Sequence, residues 1–485
     1  SILLTEENKG LVLSLIRQLG IAKLVRAAAK TAKTVGVGQN VKDLYHFRMG
    51  RLASVYFISM WQALGNREAI VDGERRYTFA QMRDRVVRLC NSLQTLGVRP
   101  RDRVACLLYN GAEYLECFWA ACMLGTPMPA VNWHLSGEEI KDIVNLRGPK
   151  VLVFDETLAE TISAYRDRMP GVKHFVMVGA GTPPEGIFRY EKLIENAAAD
   201  IPETSFIFAI NPYTGGTTGT PKSANLYDGF SYILSDVTEA PRAVLDEYIQ
   251  YMVRQLAFLY YCGATEICDP QQNNIRALIP TPMYHAGTAA GYAPFVMLGG
   301  TAVPMRQFDP ERFLYLVEKE RISWSFVVPT ILQRILGLPD EIKRKYDLST
   351  MHTLLCSAAP CPPEVKNDIN ELFMRQGAPK PVFHEYYGSS EASLVTLLLP
   401  ADYMERPERI QSVGKARCGD ILIYDEEKNR PCAPGETGRV LCRSMATLSL
   451  TYPGSTEKLK DSQRIIDGKE WYDDGLIGRT DEDGF

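Results

Sequence analysis

Residues 206–222 read FIFAINPYTGGTTGTPK, an apolar run followed directly by a loop rich in glycine and threonine. The run 206–210 predicts a β-strand. Glycines let backbone N–H groups approach phosphate oxygens, threonine hydroxyls add donors, and Lys222 adds positive charge. The stretch therefore indicates a phosphate-binding loop, with a flexible turn as the plain alternative. It differs from the loop of P-loop kinases, which requires Gly-Lys, because Thr220 and Pro221 precede the lysine.

On both sides of this loop, apolar runs alternate with helical patterns, which indicates βαβ units and mainly parallel sheets. The predicted strands are 104–108, 151–154, 175–178, 324–328 and 353–355, and residues 80–96 are a predicted helix. After Val413, short strands at 421–424 and 439–442 alternate with turns that contain proline and glycine, which predicts an antiparallel sheet.

We therefore predict an α/β fold with two tandem α/β subdomains, whose sheets are mainly parallel, and a small antiparallel β subdomain. The predicted divisions are an N-terminal extension at 1–50, α/β subdomains at 51–200 and 201–410, the β subdomain at 411–470, and a segment at 471–485 that leads to a hinge.

The composition is that of a globular enzyme: 46% of the 485 residues are hydrophobic and 23% are charged. The net charge of -4 argues against nucleic acid as a partner. The eleven cysteines form no CxxC pair, which indicates reduced thiols in a cytoplasmic protein. The uncharged stretch 285–305 contains glycines and a proline, which favour buried turn and strand over a membrane-spanning helix.

The first 50 residues carry apolar side chains at helical spacing with lysine and arginine between them, which predicts a basic amphipathic helix. Two interpretations stay open: a helix that contacts a membrane surface or a partner, and a helix packed on its own domain. The second is the commoner use of such a pattern. Membrane association is therefore an alternative to a purely cytoplasmic location.

The loop and four later segments resemble, in order, the motifs of the adenylate-forming superfamily, which includes acyl-CoA synthetases, nonribosomal-peptide adenylation domains and luciferases. The loop is similar to the family's YTSGTTGxPKG, with Gly215 at the usual serine and Ser223 at the usual glycine. The later segments are PMYHAG at 282–287, CSAAP at 356–360, YYGSSE at 386–391 and WYDDGLIGRTDEDGF at 471–485. The resemblance covers residues 60–485, and several ordered motifs are more specific than one.

The resemblance implies that a carboxylic acid is activated by ATP and Mg²⁺ to an acyl-adenylate and then transferred to coenzyme A. The implied catalytic residues are Lys222, His285 and Glu391, and Thr217 and Glu391 would hold the metal. The residues implied to bind ATP and AMP are Thr214, Gly215, Gly216, Thr217, Thr218, Gly219, Lys222, Ala358, Ala359, Pro360, Glu385, Tyr386, Tyr387, Gly388, Ser389, Ser390 and Asp474. The acyl pocket is predicted to include Tyr284, His285, Gly287, Tyr292, Val327 and Leu394.

The last motif departs from the family pattern, because Leu476 stands where an aspartate is expected to bind the ribose hydroxyls. Asp474, two residues earlier, can replace it only if the backbone is shifted. In the family, a hinge and a small C-terminal lid domain with an adenylation lysine follow this motif. We expect that lid domain to be absent from these 485 residues.

Residues 246–252 and 256–261 predict an added helical segment between the phosphate loop and the 282–287 motif, placed where it would shape access to a pocket. We expect a fatty or bulky apolar carboxylic acid as substrate. Three hypotheses stay open: an acyl-CoA synthetase, an adenylation domain for amino acids or carrier loading, and a non-catalytic ATP-binding homologue. A homodimer is an expectation taken from the family.

Overall fold

The computed structural model describes residues 49–202, 204, 206–207, 210–211, 213–214, 222–223, 242–268, 275–449 and 461–485. In the first part of the chain the elements are α1 Met49–Leu64, β1 Glu68–Asp72, β2 Arg75–Thr78, α2 Phe79–Thr95, β3 Val104–Leu107, α3 Ala112–Leu124, β4 Met128–Pro129, α4 Gly137–Arg147, β5 Val151–Asp155, α5 Ala159–Tyr165, β6 His174–Val178, β7 Ile187–Arg189 and α6 Tyr190–Glu195. Around the phosphate loop they are β8 Ile210–Asn211, β9 Tyr213–Thr214, β10 Lys222–Ser223, α7 Arg242–Leu256, α8 Phe258–Tyr261 and α9 Ala264–Ile267.

The next part of the chain contains β11 Arg276–Ile279, α10 Ala289–Leu298, β12 Thr301–Pro304, α11 Pro310–Lys319, β13 Trp324–Val327, α12 Pro329–Leu336, α13 Asp340–Lys343, β14 Thr353–Cys356, α14 Pro363–Arg375, β15 Phe383–Glu385, β16 Gly388–Ser389, β17 Ser393–Leu394 and α15 Pro400–Glu405. The last elements are β18 Asp420–Asp425, β19 Arg430–Pro431, β20 Gly438–Arg443, α16 Met445–Ser449, β21 Gln463–Ile466 and β22 Lys469–Gly478.

Two sheets with parallel pairing form the body of the fold. The larger has the strand order β15-β14-β13-β11-β12-β1-β2, and only its edge pair β1/β2 is antiparallel. The smaller has the order β3-β5-β6-β7 and is parallel throughout. Continuous apolar runs such as VLVFD in β5 are buried at every residue, as expected for a parallel sheet with both faces covered.

Local signals in the sequence set the ends of the helices that cover these sheets. Thr78 and Gln81 form a reciprocal capping box at the start of α2, and Ser136 and Glu139 form another at the start of α4. Asp309 caps α11 ahead of Pro310. These caps place each crossover helix immediately after the strand or loop that feeds it.

One hydrophobic core joins the two parallel sheets. It contains Val104 and Val151 from the smaller sheet and Ile279 from the larger one. Between them, Trp119 of α3 lies 6.3 Å, centroid to centroid, from Phe295 of α10 in an edge-to-face arrangement. The two sheets are therefore packed into one body.

A five-stranded antiparallel sheet, in the order β19-β18-β20-β22-β21, follows in the chain. Helix α7 attaches it to the rest of the protein. Arg254 pairs with Asp420 at 2.6 Å, the Tyr251 hydroxyl donates to the same carboxylate at 2.5 Å, and Arg443 pairs with Glu247.

The structure confirms the predicted fold class and the strands 104–108, 151–154, 175–178, 324–328, 353–355, 421–424 and 439–442 to within two residues at each end. The predicted helices at 80–96, 246–252 and 256–261 correspond to α2, α7 and α8. Of the strand predicted at 206–210, Ile210 lies in β8, whereas Phe206 and Ile207 are not in a strand. The uncharged stretch 285–305 was predicted as turn and strand only, yet it also holds helix α10.

Two predicted boundaries were wrong. Strands β1 and β2 belong to the larger sheet, because Ile70 pairs with Ala302, so the division at residue 200 does not separate the two sheets. The antiparallel sheet does not stop at 470, since β22 continues to Gly478. Residues 1–48, with most of the predicted basic helix, lie outside the described residues. Among the helices of the described ranges, none is both long and apolar enough to span a membrane.

Candidate active site

A cavity of about 1360 Å³ lies where the strands of the larger sheet end. Residues that directly follow β11, β12, β13, β14 and β15 all line it. Parallel strands bring the loops after their carboxyl ends to one edge, which is where open α/β sheets usually bind ligands. Helix α7 closes one wall with Gln255 and Leu256.

The hairpin β16/β17 lines part of the cavity and carries four of the predicted nucleotide- and metal-binding residues, Gly388, Ser389, Ser390 and Glu391. Glycine is required at 388, because a Cβ there would lie 1.8 Å from the Ser393 carbonyl oxygen. The Ser389 hydroxyl accepts a hydrogen bond from the backbone N–H of Ala392 at 3.1 Å. The tight turn thus presents two hydroxyls and a carboxylate to the cavity.

Gln255 of α7, which is 7% exposed, holds this hairpin from behind. Its Oε1 accepts a hydrogen bond from the Ser393 hydroxyl at 3.1 Å, and its Nε2 donates to the carbonyls of Leu394 and, at 3.2 Å, Cys418. Ser393 has a φ of 56°, a left-handed backbone conformation that is unfavourable for a residue with a side chain. The buried amide therefore fixes a strained turn, a role that sequence reasoning missed.

The predicted phosphate loop is described only at its ends. β9 and β10 pair antiparallel, with Thr214 opposite Lys222 and Tyr213 opposite Ser223. The loop residues predicted to bind phosphate and metal, Gly215, Gly216, Thr217, Thr218 and Gly219, lie outside the described residues. The arrangement of the two ends is that of a hairpin, which brings the start and end of the motif together.

The loop after β14 contributes one of its three predicted nucleotide-binding residues to the cavity. Ala358 lines it with a φ of 74°, whereas Ala359 and Pro360 are exposed and do not line it. Tyr386, which follows β15, also lines the cavity and donates its backbone N–H to the Cys356 carbonyl at 3.0 Å. The small side chain of Ala358 leaves room for a flat ring against the backbone.

Tyr387, which directly precedes the hairpin, contacts Asp474 of β22. The Tyr387 hydroxyl donates to Asp474 Oδ2 at 2.5 Å, and the buried Oδ1 has no partner. Burial raises the pKa of the Asp474 carboxyl, and the hydrogen bond from Tyr387 opposes this. Leu476, at 49% exposure, points to solvent. Asp474 therefore has a buried oxygen without a hydrogen-bond partner, but neither Asp474 nor Tyr387 lines the cavity.

Glu385 was predicted to bind the nucleotide, but it does not line the cavity. Its carboxylate is buried and forms an ion pair with Lys366 of α14, which also donates to the carbonyls of Ile410 at 2.8 Å and Ser412 at 3.1 Å. Burial raises the pKa of Glu385 while Lys366 lowers it. A carboxylate with this partner supports the strand that carries the motif and does not face the cavity.

Two histidines that line the cavity, His134 and His285, lie on either side of the buried Tyr284. His285 lines the cavity, and its pKa lies below the ordinary range, first because of desolvation and then because of His134. The Tyr284 ring lies 4.5 Å from the His285 ring and 6.5 Å from the His134 ring, between centroids. Burial raises the pKa of Tyr284 to about 12, so its hydroxyl stays neutral. A neutral His285 can hydrogen-bond a carboxylate without a fixed charge.

The remaining acyl-pocket predictions have different outcomes. Gly287, Tyr292 and Leu394 line the cavity, and a Cβ at 287 would lie 3.2 Å from the Phe326 ring. Tyr284 is buried behind the surface of the cavity. Val327 was the wrong choice, because it packs in the core on the opposite face of β13 while its neighbour Phe326 lines the cavity.

Comparisons with known proteins agree with this geometry. The family model described as AMP-binding enzyme matches residues 60–452. A feruloyl-CoA synthase of Amycolatopsis sp is 29% identical over 418 residues, which are 86% of this chain and 74% of that protein. A medium/long-chain fatty-acid–CoA ligase of Mycobacterium tuberculosis is 27% identical over 431 residues, 87% of this chain and 68% of that protein.

Among solved structures, a long-chain-fatty-acid–CoA ligase from Archaeoglobus fulgidus superposes with a TM-score of 0.72 at 20% identity. The superposition covers 88% of this chain and 82% of that one. At that level of identity the likeness establishes the fold. It supports the arrangement of strands and helices described above.

Proposed function

Because the chain belongs to the AMP-binding enzyme family, we propose that it activates a hydrophobic carboxylic acid with ATP and transfers the acyl group to coenzyme A. The observation that carries the proposal is the cavity at the strand ends. Its wall is apolar and aromatic along Phe118, Phe258 and Phe326, and polar at the hairpin that holds Ser390 and Glu391. Such a cavity can hold an apolar acyl group and a phosphate-bearing group end to end.

In the first step, a carboxylate oxygen attacks the α-phosphorus of ATP and pyrophosphate leaves. The chain supplies no nucleophile for this reaction; its contribution is position and charge. His285, uncharged because of its low pKa, orients the carboxylate without pairing with it. Ser389 and Ser390 donate hydroxyl hydrogen bonds to phosphate oxygens, and Tyr386 and Ala358 border the adenine.

Glu391 and the adjacent hydroxyls fit a magnesium ion, because Mg²⁺ takes oxygen ligands and uses one or two carboxylates together with substrate phosphates. When bound, the ion would neutralise phosphate charge and so lower the repulsion of the incoming carboxylate. Thr217 and Lys222 complete this part of the proposal as a further metal ligand and a phosphate-binding cation. Asp474 stays the proposed acceptor for a ribose hydroxyl, as the carboxylate that lies two residues before Leu476.

The relatives support an aromatic or fatty acid as substrate, since their names include feruloyl-CoA synthase, indoleacetate–CoA ligase and medium/long-chain fatty-acid–CoA ligase. An amino acid is the less favoured substrate. Its ammonium group would need a carboxylate in the acyl part, and Glu391 is the one acidic side chain among the described residues that line the cavity.

The test is carboxylate-dependent release of pyrophosphate by the full-length protein, across cinnamic, arylacetic, fatty and amino acids, with and without coenzyme A. We expect release with one hydrophobic class and thioester only with coenzyme A. Glu391→Gln should abolish release, whereas Glu427→Gln, at an exposed glutamate in the β18/β19 turn, should not change it. Binding of ATP without release for any acid would favour the non-catalytic hypothesis.

A further inference from the structure

His134 follows β4 at the edge of the cavity and is not part of any motif that the sequence pointed to. Its ring stacks on Trp133, with centroids 3.6 Å apart and planes 24° apart. Its backbone N–H donates to Asn132 Oδ1 at 2.9 Å, and its Nδ1 lies 3.1 Å from the same oxygen. The imidazole is therefore held in one orientation at the surface of the cavity.

These contacts also fix which ring nitrogen carries the proton. The oxygen of Asn132 is identified by the backbone N–H that it accepts, and an amide oxygen cannot donate. Nδ1 of His134 must then be the protonated nitrogen, with the Tyr284 hydroxyl 3.3 Å away as a second neighbour. The lone pair is left on Nε2. A histidine oriented through Nδ1–H by a fixed acceptor is the arrangement of a general base.

We propose that His134 Nε2 takes the proton of the coenzyme A thiol in the second half-reaction, an inference that rests on the proposed function. His285 borders the position of the substrate carboxylate, and His134 lies one aromatic ring beyond it, across Tyr284. In this proposal the thiol approaches the acyl carbon from the side of the cavity that His134 lines. In this proposal His285 hydrogen-bonds the substrate carboxylate in the first half-reaction, and His134 deprotonates the thiol in the second.

The S–H proton passes to Nε2, the sulfur forms a bond to the acyl carbonyl carbon, and the bond from that carbon to the AMP phosphate oxygen breaks. AMP leaves with the bonding pair, and His134 later returns its proton to solvent. No oxidant or further reactant is needed.

The experiment measures the two half-reactions separately in the full-length protein. Pyrophosphate release from ATP and acid reports the first, and thioester formation from purified acyl-adenylate and coenzyme A reports the second. We expect His134→Gln, which keeps polarity and removes the base, to slow the second by roughly 100-fold and to leave the first unchanged. His174→Gln, a histidine on β6 that does not line the cavity, should change neither.

A merely structural role is distinguished by chemical rescue. Added imidazole should restore thioester formation in His134→Ala, since a small base can occupy the space that the side chain leaves. Unchanged thioester formation in His134→Gln would overturn the proposal. An equal loss in both half-reactions without rescue would do so as well, because it would show that His134 only supports Tyr284 and His285. If the wild type releases no pyrophosphate with any acid, the proposed function itself fails first.

Discussion

Replacing Gln255 by alanine tests whether the hairpin that carries Glu391 is held in place from behind. The substitution removes three hydrogen bonds, one from the Ser393 hydroxyl and two to the carbonyls of Leu394 and Cys418. A buried polar group left without a partner costs about 1–3 kcal/mol, and water in the new space offsets part of this. We expect the substitution to destabilise the hairpin conformation seen here by about 2 kcal/mol, which lowers the population of that conformation roughly 30-fold.

The assay is steady-state pyrophosphate release with MgATP varied at saturating acid. Because the hairpin is proposed to bind phosphate and metal, we expect Gln255→Ala to lower kcat/KM for MgATP by roughly 30-fold, with a smaller change in KM for the acid. Gln250→Ala is the matched control, since Gln250 is exposed on the same helix. If kcat/KM for MgATP in Gln255→Ala stays within about twofold of the wild type, the hairpin does not depend on this clamp and the reasoning fails.

Three further predictions follow from buried groups and close contacts. Gly388→Ala should abolish pyrophosphate release, since the new Cβ would meet a carbonyl oxygen at 1.8 Å, whereas Gly171→Ala, with 3.6 Å to its nearest neighbour, should retain it. Lys366→Met leaves the buried Glu385 carboxylate unpaired and should lower the free energy of unfolding, measured in urea, by about 3–5 kcal/mol. The double variant Lys366→Met/Glu385→Gln should recover much of that loss, and no recovery would contradict the role of the ion pair. Burial lowers the pKa of His384 to about 3 in the folded protein. As the pH falls below 6.5, the histidine is protonated in the unfolded chain but not in the folded one, so the free energy of unfolding decreases. Between about pH 7 and about pH 5 the free energy of unfolding should fall by about 2 kcal/mol because of this residue. His384→Leu should remove that part of the pH dependence, measured by urea unfolding at several pH values. An unaltered pH dependence in His384→Leu would show that His384 does not contribute.

Much of the fold could be predicted because parallel strands buried on both faces read as continuous apolar runs. β5 and β14 are examples in which nearly every residue is buried and the predicted bounds differ by one residue. The place of β1 could not be predicted in the same way. Its pairing with β12 joins residues more than 200 positions apart, and nothing local in EAIVD indicates which sheet it enters.

Within the site, ordered motifs located the residues of the hairpin and the 282–287 segment, but they could not tell which side chains face the cavity. Phe326 and Val327 are adjacent and equally apolar, and only the register of β13 decides between them. Glu385 lies next to the tyrosine motif, yet its partner Lys366 comes from a helix that the motif does not include. His134 had one signal available, an asparagine two residues earlier that can accept from its backbone.

The core shared by the two parallel sheets determines how ligands reach the cavity. Parting the sheets would expose both Trp119 and Phe295, each a ring of about 200 Å², at a cost of roughly 5 kcal/mol per ring. Separating the two sheets at each turnover to exchange substrate and product is therefore energetically unfavourable. The cheaper route runs over the strand ends, along a rim that we define by two residues lining the cavity, Trp133 and the 55% exposed Arg306. Variation in that rim, more than in the core, should set which acids gain entry and how fast they do so.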